Sequence, residues 1–248
     1  MDAANTIRDA VARVNAIRAD AADQPGLGKA LVTIKALQAR RFAGTYSDLL
    51  RSDEYGGAAR FFLEDLYGDR DYSQRDAQFS RIAGALQRLF PQQVIATAVA
   101  LAQLHLLTEE LDWKMASQWD DHDGVPPSDT ATQYVACWRS IGRYEDRKRQ
   151  LEMVLTVGKD LDRLTRAPGL RLMLRMMQRP ARAAGLGSLQ QFLETGFDTF
   201  AQMTDKGRSV ETFLSTIQTR ESTWIKSLSH GDCQQSVANL QACLSTVS

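Results

Sequence analysis

Apolar side chains in this chain return every three or four residues along most of its length, and strict alternation is scarce. That period keeps them on one face of a 3.6-residue helix and would scatter them over both faces of a strand, so it selects helices. Ile7, Val11, Val14 and Ile17 form the first stripe; after Pro25, Gly26 and Gly28, a second runs through Leu27, Leu31, Ile34 and Leu37 toward Gly44. A short turn starts at Ser47, a helix carrying Phe61 to Tyr67 stops at Gly68, and Ser73 reads as the N-cap of the next, with Asp76 three residues on as in a capping box. Pro91 opens a long helix to about Trp119, and Tyr134 to Val157 forms another with a break near Gly142. Asp160 to Met177 follows, interrupted or kinked at Pro168-Gly169 and closed by Pro180; further helices begin at Gly185–Ser188, at Ser209 and at Gln234.

The expected fold is therefore all-α, an irregular bundle of about eight to eleven helices. Its 248 residues suit a single all-helical domain, and the polar, proline-rich stretch Asp120 to Ser128 marks the place for any division into sub-lobes 1–120 and 129–248. No repeat of fixed period argues for a solenoid.

Thirty basic and thirty acidic residues balance, so no global field draws the chain to nucleic acid or an anionic membrane. Cys137, Cys233 and Cys243 are odd in number and contain no Cys-x-x-Cys, which argues for free thiols in a reducing compartment. Residues 1–23 lack the apolar run of a signal peptide, and Val94 to Leu107, at about 14 residues, falls short of the ~20 that span a bilayer. A cytoplasmic protein without membrane partners is the expectation.

Phe61-Phe62-Leu63-Glu64-Asp65-Leu66-Tyr67-Gly68, with Ser73-Gln74-Arg75-Asp76 behind it, resembles the signature of the uncharacterised bacterial FFLEELY-motif family, with Asp65 in place of a glutamate. The segment from Arg179-Pro180-Ala181-Arg182 through Gly187 to Leu193 is also similar to that group. The resemblance implies no activity, cofactor or catalytic residue.

Glu64 and Asp65 share the sector left by the aromatic face of their helix. They are either carboxylates at the rim of a pocket, facing Arg75 and Asp76, or ordinary solvated or arginine-paired acids. His105, Glu109 and Asp112 stand at i, i+4 and i+7, one face that suits metal ligands or an acid–base pair. The Glu-x-x-His pattern of di-iron bundles is excluded, because Ala102, Trp119 and Ser227 precede His105, His122 and His230 by three residues. A lone His105 between Leu104 and Leu106 is compatible with axial haem ligation but more commonly structural, and no cofactor or metal is assigned. His122 among Asp120, Asp121 and Asp123 reads either as a loose cation site or as a solvated acidic loop.

Arg171, Arg175, Arg179 and Arg182 recur as a basic stripe placed opposite Leu172, Met173 and Met176. Such a stripe suits phosphate, an acidic protein surface or RNA, or else meets acids such as Asp160, Asp162 and Glu194 of its own fold. Gly26-Leu27-Gly28-Lys29-Ala30 lacks the length and hydroxyl of a P-loop. The leading functional expectation is a non-catalytic binding or regulatory module that contacts a protein or anionic ligand through this Arg/Met face. The alternative is an enzyme or small-ligand-binding protein with a polar pocket built from Glu64, Asp65, Arg75, Asp76, His105 and Glu109; a homodimer is a third option.

Overall fold

The computed structural model describes residues 2–66, 72–119, 127–204 and 209–246, and not the side chains at 65, 66, 85–89, 127–129, 204 and 209. The end of the FFLEDLY helix at Tyr67-Gly68, the His122 cluster and most of the Asp120–Ser128 loop lie outside the described residues.

The described chain is all helical. Its twelve α-helices are α1 Ala3–Asp23, α2 Pro25–Thr45, α3 Ser47–Arg51, α4 Gly56–Phe61, α5 Ser73–Leu89, α6 Gln92–Ala116, α7 Pro127–Ile141, α8 Tyr144–Thr165, α9 Leu170–Ala183, α10 Gly187–Thr204, α11 Ser209–His230 and α12 Cys233–Ser245. This exceeds the expected eight to eleven. Gly142, at φ 58°, separates α7 from α8, and Gly169, at φ 79°, separates α8 from α9; both adopt the left-handed conformation that glycine reaches at no steric cost.

Three local expectations need correction. Phe62–Leu66 is a π-helical turn after α4, so the face relations drawn at 100° per residue do not apply there. Pro180 does not end α9 but sits inside it. Its ring removes the N–H that would bond the Met176 carbonyl, and both residues are exposed, so water can donate to that carbonyl instead. Ser73 is the first helical residue of α5, whose Asp76 amide bonds the Tyr72 carbonyl at 2.9 Å, while the Asp76 side chain turns inward rather than capping.

α6 packs against α1, α2, α5, α7 and α8, and α8 in turn meets α9, α10 and α11. By length and apolarity α6 could cross a bilayer; here it is surrounded by other helices and buries Glu109 and Asp112. α1 lies along α5 and α6 through small residues, with Ala4, Ala10, Ala83, Ala98 and Ala102 packed around Ile7. The main core is aromatic-rich and draws on both sides of the 120–128 stretch: Ile34, Leu37 and Phe62 pack in one cluster with Tyr134, Phe200, Phe213 and Leu228. Phe62 meets Phe213 edge-on at 5.5 Å, and Phe61 stacks on Phe192 at 5.5 Å. Cys137, Cys233 and Cys243 are free thiols.

Candidate functional site

Two buried stripes carry charges that an apolar face should reject. On α1 the stripe Ile7, Val11, Val14 continues at the same spacing to Arg18, and on α6 the inward face carries His105, Glu109 and Asp112. A buried charge demands a partner, and neighbouring helices supply them.

Asp76, from the first turn of α5, is at the centre. His105 Nε2 and Arg18 Nη2 both lie 2.9 Å from Asp76 Oδ2. The 3.3 Å between those two nitrogens is the spacing of two donors on one oxygen. A carboxylate only accepts, so Nε2 carries the ring proton, and Nδ1 holds the lone pair when the imidazole is neutral. Burial pushes the Asp76 carboxyl up, but the His105 hydrogen bond, with the charges of His105, Arg75 and Arg18, outweighs it and holds Asp76 below the usual carboxylate range. Arg75 Nε stands 3.7 Å from Asp76 Oδ1, and its guanidinium is sandwiched between the Tyr72 ring at 4.1 Å and the Phe192 ring at 4.7 Å.

The next turns of α6 are answered from α2. Lys35 Nζ bonds both Glu109 oxygens at 2.7 and 2.8 Å, and Gln38 donates to Asp112 Oδ1 at 2.9 Å. Asp112 differs from Asp76: burial dominates and raises its pKa despite the pull of Arg147 and Lys35.

Beside the Asp76–His105 pair opens a cavity of about 120 Å³ between α1, α5, α6, α8, α9 and α10. Its wall is almost entirely apolar, including Val11, Phe79, Val94, Leu101, Leu164, Leu174, Phe192 and Phe197. Its charged groups, Arg75, Asp76 and His105, line it together with Thr108, and one further polar side chain, Thr97, lies two turns before His105 on α6 and donates to the Gln93 carbonyl at 3.0 Å. Thr108 is already committed, donating to the Leu104 carbonyl at 2.9 Å and accepting from Gln150 Nε2 at 2.8 Å.

Of the candidate pocket groups, the structure thus brings Arg75, Asp76, His105 and Glu109 together. Glu64 does not line the cavity; its backbone carbonyl accepts a hydrogen bond from the Tyr72 hydroxyl. The Asp65 side chain lies outside the described residues. Among the described residues no group of three or more His, Cys, Asp or Glu side chains could hold a metal ion. Arg18 and Lys35 were missed; Arg18 was detectable as the charged continuation of an apolar stripe.

The basic stripe of α9 is exposed at Arg171, Arg175, Arg179 and Arg182. Arg171 pairs with Asp198 at 2.9 Å rather than with the acids expected, since Asp160 and Asp162 bond Arg163 and Arg166 and Glu194 bonds Gln178 and Gln190. Leu172 and Met176, placed opposite the stripe from sequence, lie beside it on the exposed side, 63% and 70% exposed. At about 100° per residue the arginines cover one sector and these two the next, while Leu170, Leu174 and Ala181 face the core.

A family model described as Domain of unknown function (DUF8198) matches residues 17–235. No curated protein and no solved structure matches the chain.

Proposed function

From a chain that belongs to the DUF8198 family, a domain of unknown function, we propose a protein that binds a small, mostly apolar molecule inside its bundle, with one polar group of the ligand at the Arg75–Asp76–His105 end. We take the family to be the bacterial FFLEELY-motif group on the strength of Phe61 to Leu66. One observation carries the binding reading: an apolar cavity of about 120 Å³ that ends on a charged cluster. Binding sites have this composition, an apolar wall with a few convergent polar groups. An engineered apolar cavity of about 150 Å³ takes up benzene, so a ligand of about six carbons fits the scale.

The polar end favours a head group that accepts hydrogen bonds. Arg75 can only donate, and Asp76 Oδ2 already receives two donors. Thermal melting with hexanoate, 1-hexanol and hexylamine at equal concentration tests this. Saturable stabilisation by the first two, exceeding that by the amine, is expected; no shift with any of the three refutes the reading.

A second reading rests on the exposed Leu172 and Met176 beside the α9 arginines. We propose that this strip is a contact surface for an acidic protein partner, as mixed apolar and arginine surfaces suit interfaces. A pull-down whose partners are unchanged by replacing Arg175, Arg179, Leu172 and Met176 with Ser would remove that support.

A further inference from the structure

A second cavity lies away from the first, lined by α2, α7, α8, α11 and Phe62 of the π-helical turn, and its chemistry is different. It measures about 40 Å³, and its charged wall groups among the described residues are Arg41, Arg147 and Glu221. Glu221 is already occupied: Arg41 Nη1 and Nη2 donate to its two oxygens at 3.0 Å each, and the Tyr46 hydroxyl donates to Oε1 at 2.9 Å. Arg147, 4% exposed, lies over the Trp138 ring at 4.3 Å, donates Nη1 to Gln150 Oε1 at 3.3 Å and directs Nη2 at the Met115 sulfur at 3.2 Å, a weak acceptor.

The Tyr134 hydroxyl and Arg41 Nε, both buried and both on wall residues, have no hydrogen-bond partner among the described residues. Tyr134 is 2% exposed, and Arg41 is 7% exposed. Arg41 Nε is a donor only, and the phenol can donate as well, so whatever satisfies them must accept. Burial raises the Tyr134 pKa, which keeps the phenol proton in place for donation. The charge balance has the same sense, two guanidiniums against one carboxylate on the wall. The nearby Asp112, whose pKa burial raises, is a poor counterweight.

We propose that this cavity is a binding site for a small monovalent inorganic anion of chloride size, held by the Tyr134 hydroxyl and Arg41 Nε in the field of Arg147. At roughly 10–15 Å³ for each water-sized guest, the space admits one such ion with at most a couple of waters. Bound there, the ion links α2, α7 and α8 through Arg41, Tyr134 and Arg147 and stabilises the fold by mass action.

The test is melting of the full chain at matched ionic strength in sodium gluconate, titrated with chloride or bromide, together with bromide anomalous diffraction. A saturable rise in Tm with both halides and a bromide peak against Tyr134 are expected. Tyr134→Phe, which keeps the ring and its packing, should weaken the half-saturating chloride concentration by about tenfold or more, because a hydrogen bond to a charged group is lost. Identical melting in chloride and gluconate overturns the proposal, as does a site holding ordered water with no bromide peak. Halide stabilisation unchanged in Tyr134→Phe also overturns it, since the ion would then bind elsewhere.

Discussion

Val94→Phe should stabilise the unliganded protein and abolish its response to ligand. Val94 lies near the start of α6, half-buried on the cavity wall beside Leu164, Leu170, Leu174 and Phe197. A cavity costs about 24 cal/mol per Å³, so about 120 Å³ corresponds to about 3 kcal/mol of unrealised packing. The larger side chain adds four carbons at about 0.8 kcal/mol each, an upper limit of about the same size. Imperfect fit and off-rotamer strain reduce the gain to about 1–2 kcal/mol, or a Tm increase of about 2–8 °C for a domain of this size. Urea unfolding and thermal melting, with and without hexanoate, measure both effects. A chain already filled at this point would instead be overpacked and lose about 1–3 kcal/mol. Destabilisation, or a hexanoate shift that survives the substitution, would refute the reasoning.

Glu221→Ala should cost about 3–5 kcal/mol by leaving Arg41 buried without its carboxylate, whereas Arg41→Met with Glu221→Leu should be far milder; a urea double-mutant cycle distinguishes them. Asp112→Asn keeps an acceptor for Gln38 and removes a charge whose burial raises the pKa. A raised carboxyl stabilises the protonated native state, so wild type loses stability as pH climbs from the unfolded value near ~4 through the folded pKa; the variant should overtake it across that window in urea midpoints from pH 3 to 8. Asp76 has the opposite sign: its depressed pKa gives stability present above ~4 and lost as pH falls through the folded value. Asp76→Asn should therefore flatten the acid limb of the same profile, and an unchanged limb would show that Asp76 is not charged in its cluster.

Periodicity carried most of the architecture, because a helix that buries one face must repeat its apolar residues at that spacing. Ile7, Val11 and Val14 are buried on α1, as are Leu31, Ile34 and Leu37 on α2. Where local chemistry competes, the pattern was silent: Pro180 stays helical because its lost bond faces solvent, and the π-helical turn at Phe62–Leu66 leaves no mark in spacing. The site was half legible. His105, Glu109 and Asp112 share a face by register alone, but Lys35 and Gln38, which answer them, are 74 residues away in the chain. Arg75 and Asp76 were expected to face Glu64 and Asp65, yet Asp76 pairs with His105 on α6. The cavity itself depends on six helices meeting imperfectly, and nothing in one helix's sequence records that.

A crystal structure of the protein grown with hexanoate tests the central claim most directly. The account predicts alkyl density between Phe79, Leu101, Leu164 and Phe192, with the carboxylate at the Arg75 end. Side chains closed over that space, or hexanoate only on the outer surface, would contradict it.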